Sequence, residues 1–373
     1  MRVAIVNQHF AEVMGGSELQ CKFIAEGLVS RGHEVCYVAP CATELDSQSR
    51  QQLTASQPYE LHWVNVLSPE SLVRAILAWQ PEVVYWRFNK NCFLSVAKAL
   101  AREGISLVFA ASHINDSVPW SAKPKQGQLR FYREMRERLR NGLAHRGFRY
   151  VKALTVNNPE HIKLSPVSSP TLILNGMTAQ AADFSWPRPY CAWVSNIKPA
   201  KRPEAALAIS RVLADRGLDL LMIGTLIPGT YPDFEDPARL PSNVFYLGQR
   251  SFEEVNGIFK NALLHIHTCL PEGFSNVFLQ AWLQGTPSVS LSVDPGGVLE
   301  THSAGLCANG DMEYFAQCIS RLLDSRDLRG RYGSLGRAYA ASQHGIRALV
   351  SSVEEVLQNA RLMPDKTGEN NKL

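Results

Sequence analysis

Several short patterns that would classify this chain at once are missing from it. None of its eight cysteines (Cys21, Cys36, Cys41, Cys92, Cys191, Cys269, Cys307 and Cys318) forms a Cys-x-x-Cys pair, and most lie inside apolar runs. Buried reduced thiols are therefore expected, with no disulfide or zinc centre. No Asp-x-Asp occurs, so that carboxylate motif for holding a divalent cation is absent. His265 and His267 alternate along one strand without a third ligand nearby. They are expected as one core residue and one cleft-facing residue, and neither a metal nor a cofactor is expected. Long apolar runs are missing too: none approaches the roughly 18 residues of a spanning helix. The start Met1–Val6 meets polar Asn7 before a signal-peptide core can form, so a cytoplasmic location is expected. An excess of one charge is also absent. With 38 Lys and Arg against 34 Asp and Glu, the net charge of +4 is too mild to suggest a nucleic-acid binder by bulk charge alone, and no nucleic-acid partner is expected.

What is present is ample apolar material, 45% of 373 residues, enough for two domains. A strand at Val3–Val6, a glycine-containing loop, a helix at Ser17–Arg31 and a strand at Glu34–Val38 make a βαβ unit. The rhythm continues with helices at Pro69–Trp79 and Phe93–Arg102 and strands at Val83–Tyr85, Ser106–Ala110, Ala153–Val156 and Leu172–Leu174. A second series starts with the strand Ala192–Ser195 and runs through Asp219–Ile223, Val244–Leu247, Leu263–His267 and Ser288–Leu291, with helices at Glu204–Arg216, Phe252–Phe259 and Asn276–Gln284. Two doubly wound, Rossmann-like α/β domains follow, residues 1–180 and 181–345, facing a central cleft. The linker lies in Met177–Pro189, and 346–373 is expected to be a crossover helix with a frayed tail.

Ligand loops of such sheets sit at the C-terminal ends of the strands. After the first strand, Gly15 and Gly16 open a helix, with Ser17 expected as its N-cap; glycine lets backbone approach a ligand while helix N–H groups face an anion. Phe109–Asp116 ends another strand and carries His113 and Asp116, the latter also suited to capping a turn. Asn175-Gly176 is expected as a turn before the linker. In the second series, Trp193–Glu204 places Asn196, Lys198, Lys201 and Arg202 between strand and helix, a cationic loop suited to phosphate. Pro271–Trp282 then sets Glu272, Gly273, Phe274, Ser275 and Asn276 where a strand meets a helix N-terminus, which joins hydroxyl recognition to an anion site. Val277, Phe278 and Trp282 are core residues on either account. After the next strand, Gly296 and Gly297 offer N–H groups to an anion or simply turn the chain.

The segment from Glu272 to Gln280, with the following Gly285-Thr286-Pro287-Ser288-Val289, resembles the signature of retaining glycosyltransferases of family four, which have the GT-B architecture. The family pattern is Glu, seven residues, Glu; here the second Glu is Gln280. The resemblance implies that Glu272 contacts donor-sugar hydroxyls, that Gln280 takes the ribose contact without charge, and that Lys201 binds the donor diphosphate. Asn196 stands where the family commonly has Arg, and Lys198 and Arg202 keep that loop cationic. His113 matches the family histidine near the reacting carbon. The activity so implied is metal-independent, retaining transfer of a hexose-type sugar from a nucleotide-diphosphate donor to a saccharide or lipid-linked acceptor, in polysaccharide or glycoconjugate synthesis. The alternative is a catalytically silent sugar-nucleotide-binding scaffold or regulator of a partner glycosyltransferase, for which Gln280 and Asn196 speak.

Lys123–Lys152 stands apart from both series. It holds ten basic side chains against Glu134 and Glu137, with Leu129, Tyr132, Met135, Leu139 and Leu143 at helical spacing and Arg133, Arg136 and Arg140 on a neighbouring face. Two expectations compete: an ordinary solvated helix whose apolar stripe faces the core, and a contact with an anionic membrane surface or a lipid-diphosphate acceptor.

Overall fold

Val3–Val6, Val35–Ala39 and Val83–Trp86 are buried without a break, as strands are when helices cover both faces of a parallel sheet. The computed structural model describes residues 1–12, 15–41, 47–65, 68–90, 92–112, 116, 130–227, 229–270 and 274–363. They form two units, Met1–Gly176 with Ile346–Leu373, and Met177–Gly345.

In the first unit, β1 (Arg2–Val6), β2 (Glu34–Cys41), β3 (Glu60–Asn65), β4 (Val83–Trp86), β5 (Ser106–Ala111), β6 (Ala153–Val156) and β7 (Thr171–Leu172) form a parallel sheet in the order β3-β2-β1-β4-β5-β6-β7. The helices are α1 (Gly16–Ser30), α2 (Ser47–Ser56), α3 (Pro69–Trp79), α4 (Phe93–Arg102) and α5 (Arg130–His145). The order reverses between β1 and β4, so the loops leaving these two strands adjoin. The N-cap of α1 is Gly15 in extended conformation, not the expected Ser17, whose hydroxyl instead accepts from Asn7.

In the second unit, β8 (Tyr190–Val194), β9 (Asp219–Ile223), β10 (Val244–Tyr246), β11 (His265–His267), β12 (Ser288–Ser290) and β13 (Gly305–Cys307) form a parallel sheet ordered β10-β9-β8-β11-β12-β13. Here the reversal lies between β8 and β11. Its helices are α6 (Pro203–Ala214), α7 (Pro232–Glu235), α8 (Phe252–Asn261), α9 (Asn276–Leu283), α10 (Val298–Thr301), α11 (Met312–Asp324) and α12 (Arg326–Gln343). Trp193, Phe315 and the strand residues around Leu220 fill one face of the sheet, and Tyr190, Ile258 and Phe259 pack on the other.

The last helix, α13 (Ile346–Leu362), belongs to the first unit. A Cβ at Gly27 of α1 would stand 2.3 Å from Val350, so the two helices approach as closely as glycine permits. Glu354 holds Arg31 at 2.5 Å and His33 at 2.7 Å. The segment expected as a crossover thus docks by both packing and charge. All eight cysteines are free. Among the described residues, no helix is long and apolar enough to cross a membrane.

Candidate functional site

In the second unit the backbone at the switch point is fastened from both sides. The loop after β8 continues parallel to the chain leaving β9: Ser195 N–H donates to Ile223 O and Ile197 N–H to Thr225 O, both at 2.8 Å. Gly224, at φ 149°, allows this approach, since a Cβ there would stand 1.9 Å from Ser195 O. The other fastening is Thr268, fully buried one residue beyond β11. Its hydroxyl donates to Lys201 O (2.8 Å) or Arg202 O (3.0 Å) and accepts from Trp193 Nε1 (2.8 Å). Leu270 N–H donates to Ala200 O at 3.0 Å, tying the chain that leads into Pro271–Gly273 to the same loop. The cationic loop and the exit of β11 are therefore one construction. Lys198, Lys201 and Arg202 stay half-buried on it, Arg202 in the left-handed region at φ 51° as the N-cap of α6. Nothing in the sequence marked Thr268 beyond its position after a strand.

Asn196 is exposed and accepts from Thr225 N–H at 3.3 Å. Glu272, Gly273 and His113 lie outside the described residues. Ser275 is the N-cap of α9 and makes no side-chain cap bond; its carbonyl accepts from Phe278 N–H at 3.3 Å. Phe274 is buried, with its ring 5.1 Å from His344 and 6.4 Å from Trp282, which leaves a ligand only its backbone. Gly296 and Gly297 are both at positive φ, and a Cβ on Gly296 would stand 3.8 Å from that ring. The anion expectation for this turn is reduced, because Gly297 N–H points to Asp294 O at 3.4 Å and Asp294 caps Leu299 and Glu300.

Gln280 is buried in α9, and its Nε2 donates to Asn256 Oδ1 at 3.1 Å; Asn256 in turn donates to Thr178 O and Gln180 O. The amide thus holds the start of the second unit to α8 and α9. The alternating histidines need correction: both are buried, and neither faces a cleft. His265 Nδ1 pairs with Ser288 Oγ at 2.9 Å and His267 Nδ1 with Ser290 Oγ at 3.3 Å, across the β11–β12 ladder. Burial pushes His265 down to about 3 and, with the charges of His265 and Lys201, holds His267 well below the usual range. Among the described residues no His, Cys, Asp and Glu group is arranged for a metal.

The switch point of the first unit is built differently, and sequence reading missed its principal residue. Arg87 leaves β4 beside β1, its N–H donating to Val6 O, and is buried with Nη2 at 3.3 Å from Asn175 Oδ1. Glu18 lies within its field; burial raises that carboxyl and Arg87 draws it back. Gly15 and Gly16 lead into α1 in front of this cluster, and the Glu18 carboxylate folds back against Gly15. Asn175-Gly176, expected as a turn, is instead a buried stretch with no turn: Gln20 receives Gly176 N–H at 2.7 Å and donates to Gly176 O at 2.9 Å. Asp116 accepts from both Ser112 N–H (2.9 Å) and Ser112 Oγ (3.2 Å), one residue beyond β5. Its charge also bears on Lys90, which burial pushes down.

Residues 188–325, most of the second unit, match the family model described as Glycosyl transferases group 1. No curated protein matches the chain by sequence. The solved structure of Anabaena Alr3699/HepE in complex with UDP and glucose is 16% identical, with a TM-score of 0.74 over 96% of this chain and 100% of that one. Sucrose-phosphate synthase from Thermosynechococcus elongatus gives 13% identity and a TM-score of 0.73 over 96% and 98%. WaaG, a glycosyltransferase involved in lipopolysaccharide biosynthesis, gives 15% and 0.68 over 95% and 99%. With its two parallel sheets, the chain has the two-Rossmann-like GT-B fold.

Proposed function

We propose that the chain moves a sugar from a nucleotide-diphosphate donor to a hydroxyl of a saccharide or lipid-linked acceptor, with retention at the anomeric carbon and without a metal. The observation that carries this reading is the Thr268 fastening, which joins the Lys198–Arg202 loop to the chain leading into Glu272. As the donor bond breaks, negative charge grows on the leaving diphosphate. Lys198, Lys201 and Arg202, with the N-terminus of α9, supply fixed positive charge that needs little reorganisation. Glu272 and the backbone around Gly273–Asn276 orient the sugar hydroxyls, and the resemblance assigns His113 to the same sugar. No protein nucleophile or base is assigned; a donor phosphate oxygen takes the acceptor proton. The setting is the cytoplasm, in polysaccharide or glycoconjugate synthesis.

A panel of nucleotide sugars, screened by thermal stabilisation, tests the first half. A true donor at a hundred times its Kd adds about 2.7 kcal/mol. The stabilising donor, incubated with saccharide acceptors and EDTA, is expected to yield a product of unchanged anomeric configuration by NMR. A panel with no stabilising member overturns the reading, and an inverted product or loss of turnover in EDTA overturns its mechanism. A second reading is favoured by Asn196 and Gln280, whose amides are turned to internal bonds. That is the silent scaffold, recognised by donor binding without turnover on any acceptor.

A further inference from the structure

Helix α5 is turned inside out. With successive side chains about 100° apart, Phe131, Met135, Leu139, Tyr132 and Leu143 occupy one arc of about 120°. All five are exposed, Phe131 by 79% and Leu139 by 63%. The face toward the protein is the polar one: Ala144 is buried there, Glu134, Glu137, Asn141 and His145 are half-buried, and the helix rests on α4 and the turn at Arg146–Tyr150. The expected core stripe is thus corrected to a solvent-facing one. Exposed arginines border it on both sides, Arg138 on one edge and Arg136 and Arg140 on the other, while both acidic residues lie on the far face.

We propose that this arc is a docking surface for an anionic lipid bilayer, in which α5 lies in the plane of the headgroups. Charge selects this occupant. A second copy of the chain would bring two sets of arginines together around the same contact. A bilayer of anionic lipids instead presents acceptors to both arginine borders while the five apolar side chains enter the shallow acyl boundary. Arginine suits those borders, because its apolar stem follows the apolar residues and its guanidinium reaches phosphate. The inference stands apart from the transfer reaction, and its test uses no donor.

Sedimentation with phosphatidylcholine vesicles, with and without phosphatidylglycerol, decides it. Wild type is expected to pellet with the phosphatidylglycerol vesicles and to be partly released as salt rises. The variant Arg136→Gln/Arg138→Gln/Arg140→Gln is expected to bind them on the order of a hundredfold more weakly at low salt. The variant Phe131→Ser/Met135→Ser/Leu139→Ser is expected to lose the salt-resistant part of binding. Its melting temperature should stay unchanged, because these side chains face solvent. Tyr132→Trp should shift its emission to the blue on the same vesicles. Wild type left in the supernatant at low salt overturns the proposal. So does equal binding by either variant, or a concentration-dependent dimer that the serine variant abolishes in a protein that ignores vesicles.

Discussion

The two sheets share a topology at their switch points and use charge in opposite ways. In the second unit, neutral groups hold the backbone: Thr268, Trp193 and the amides of Ser195 and Ile197 fix the loop, and the cations ride half-buried on it. In the first unit the cation itself is interior. Arg87 is buried against Asn175, and the Gly176 peptide is held by Gln20. A loop braced through its backbone can give its side-chain charge to a ligand. A buried guanidinium has its charge engaged by the fold, because removing a partner leaves it desolvated and unmatched.

The comparison breaks most visibly at Lys201. Lys201→Ala is expected to lower transfer about a hundred- to a thousandfold, as loss of one preorganised charge contact does. Its melting curve should stay close to that of wild type, since alanine keeps the carbonyl that Thr268 grips. Glu272→Ala should match it in activity. Near-normal turnover of Lys201→Ala would remove the cationic loop from the chemistry, and near-normal turnover of Glu272→Ala would remove the segment after β11.

Acid separates the units next. His265 titrates at about 3 in the folded chain against 6.5 when unfolded, and His267 is held well below its usual value too. The unfolded chain therefore takes up protons first. Stability is complete above about pH 6.5 and falls as pH drops from there toward 3, by about 1.4 kcal/mol per pH unit for each histidine. The first unit has His9, which burial pushes down to about 4. Hydrogen exchange followed from neutral to mildly acidic pH should show β11 and β12 losing protection before β1 and β2; the reverse order would contradict the assignment.

Arg87→Met sharpens the contrast from the other side. It should cost about 1.5–3 kcal/mol of stability, the worth of a hydrogen bond to a charged group, and leave donor affinity unchanged. A donor Kd that rises with no loss of stability would make Arg87 a ligand residue after all. The smallest effect is expected at Gln280. Gln280→Leu strips Asn256 of a donor and should cost about 1–2 kcal/mol. Calorimetry with the donor then tells whether position 280 also serves the ribose: Gln280→Glu keeps or tightens binding if it does, and wild type, Glu and Leu bind alike if it does not.

Both sheets were legible from residues alone where strands are continuous apolar runs. Val83–Trp86 and Asp219–Ile223 can only be covered strands, and the glycines and cations after them mark C-terminal loops. β3 escaped notice because Glu60–Asn65 mixes Glu, His and Trp, and β13 because three residues carry no period.

The sequence by itself determined the βα rhythm and put the basic residues of 198–202 between a strand and a helix, since each is written in neighbouring residues. The tertiary structure decided what neighbours cannot encode. Helical periodicity shows that α5 has an apolar face, but the side it turns to the protein depends on where α4 and the following turn lie. Alternation puts His265 and His267 on one side of a strand, and only β12 and Phe278 above them make both interior. Thr268 and Arg87 became structural centres through partners 67 and 88 residues away. Burial and hydrogen-bond partnership belong to the packed pair of elements, and a single segment carries only its half.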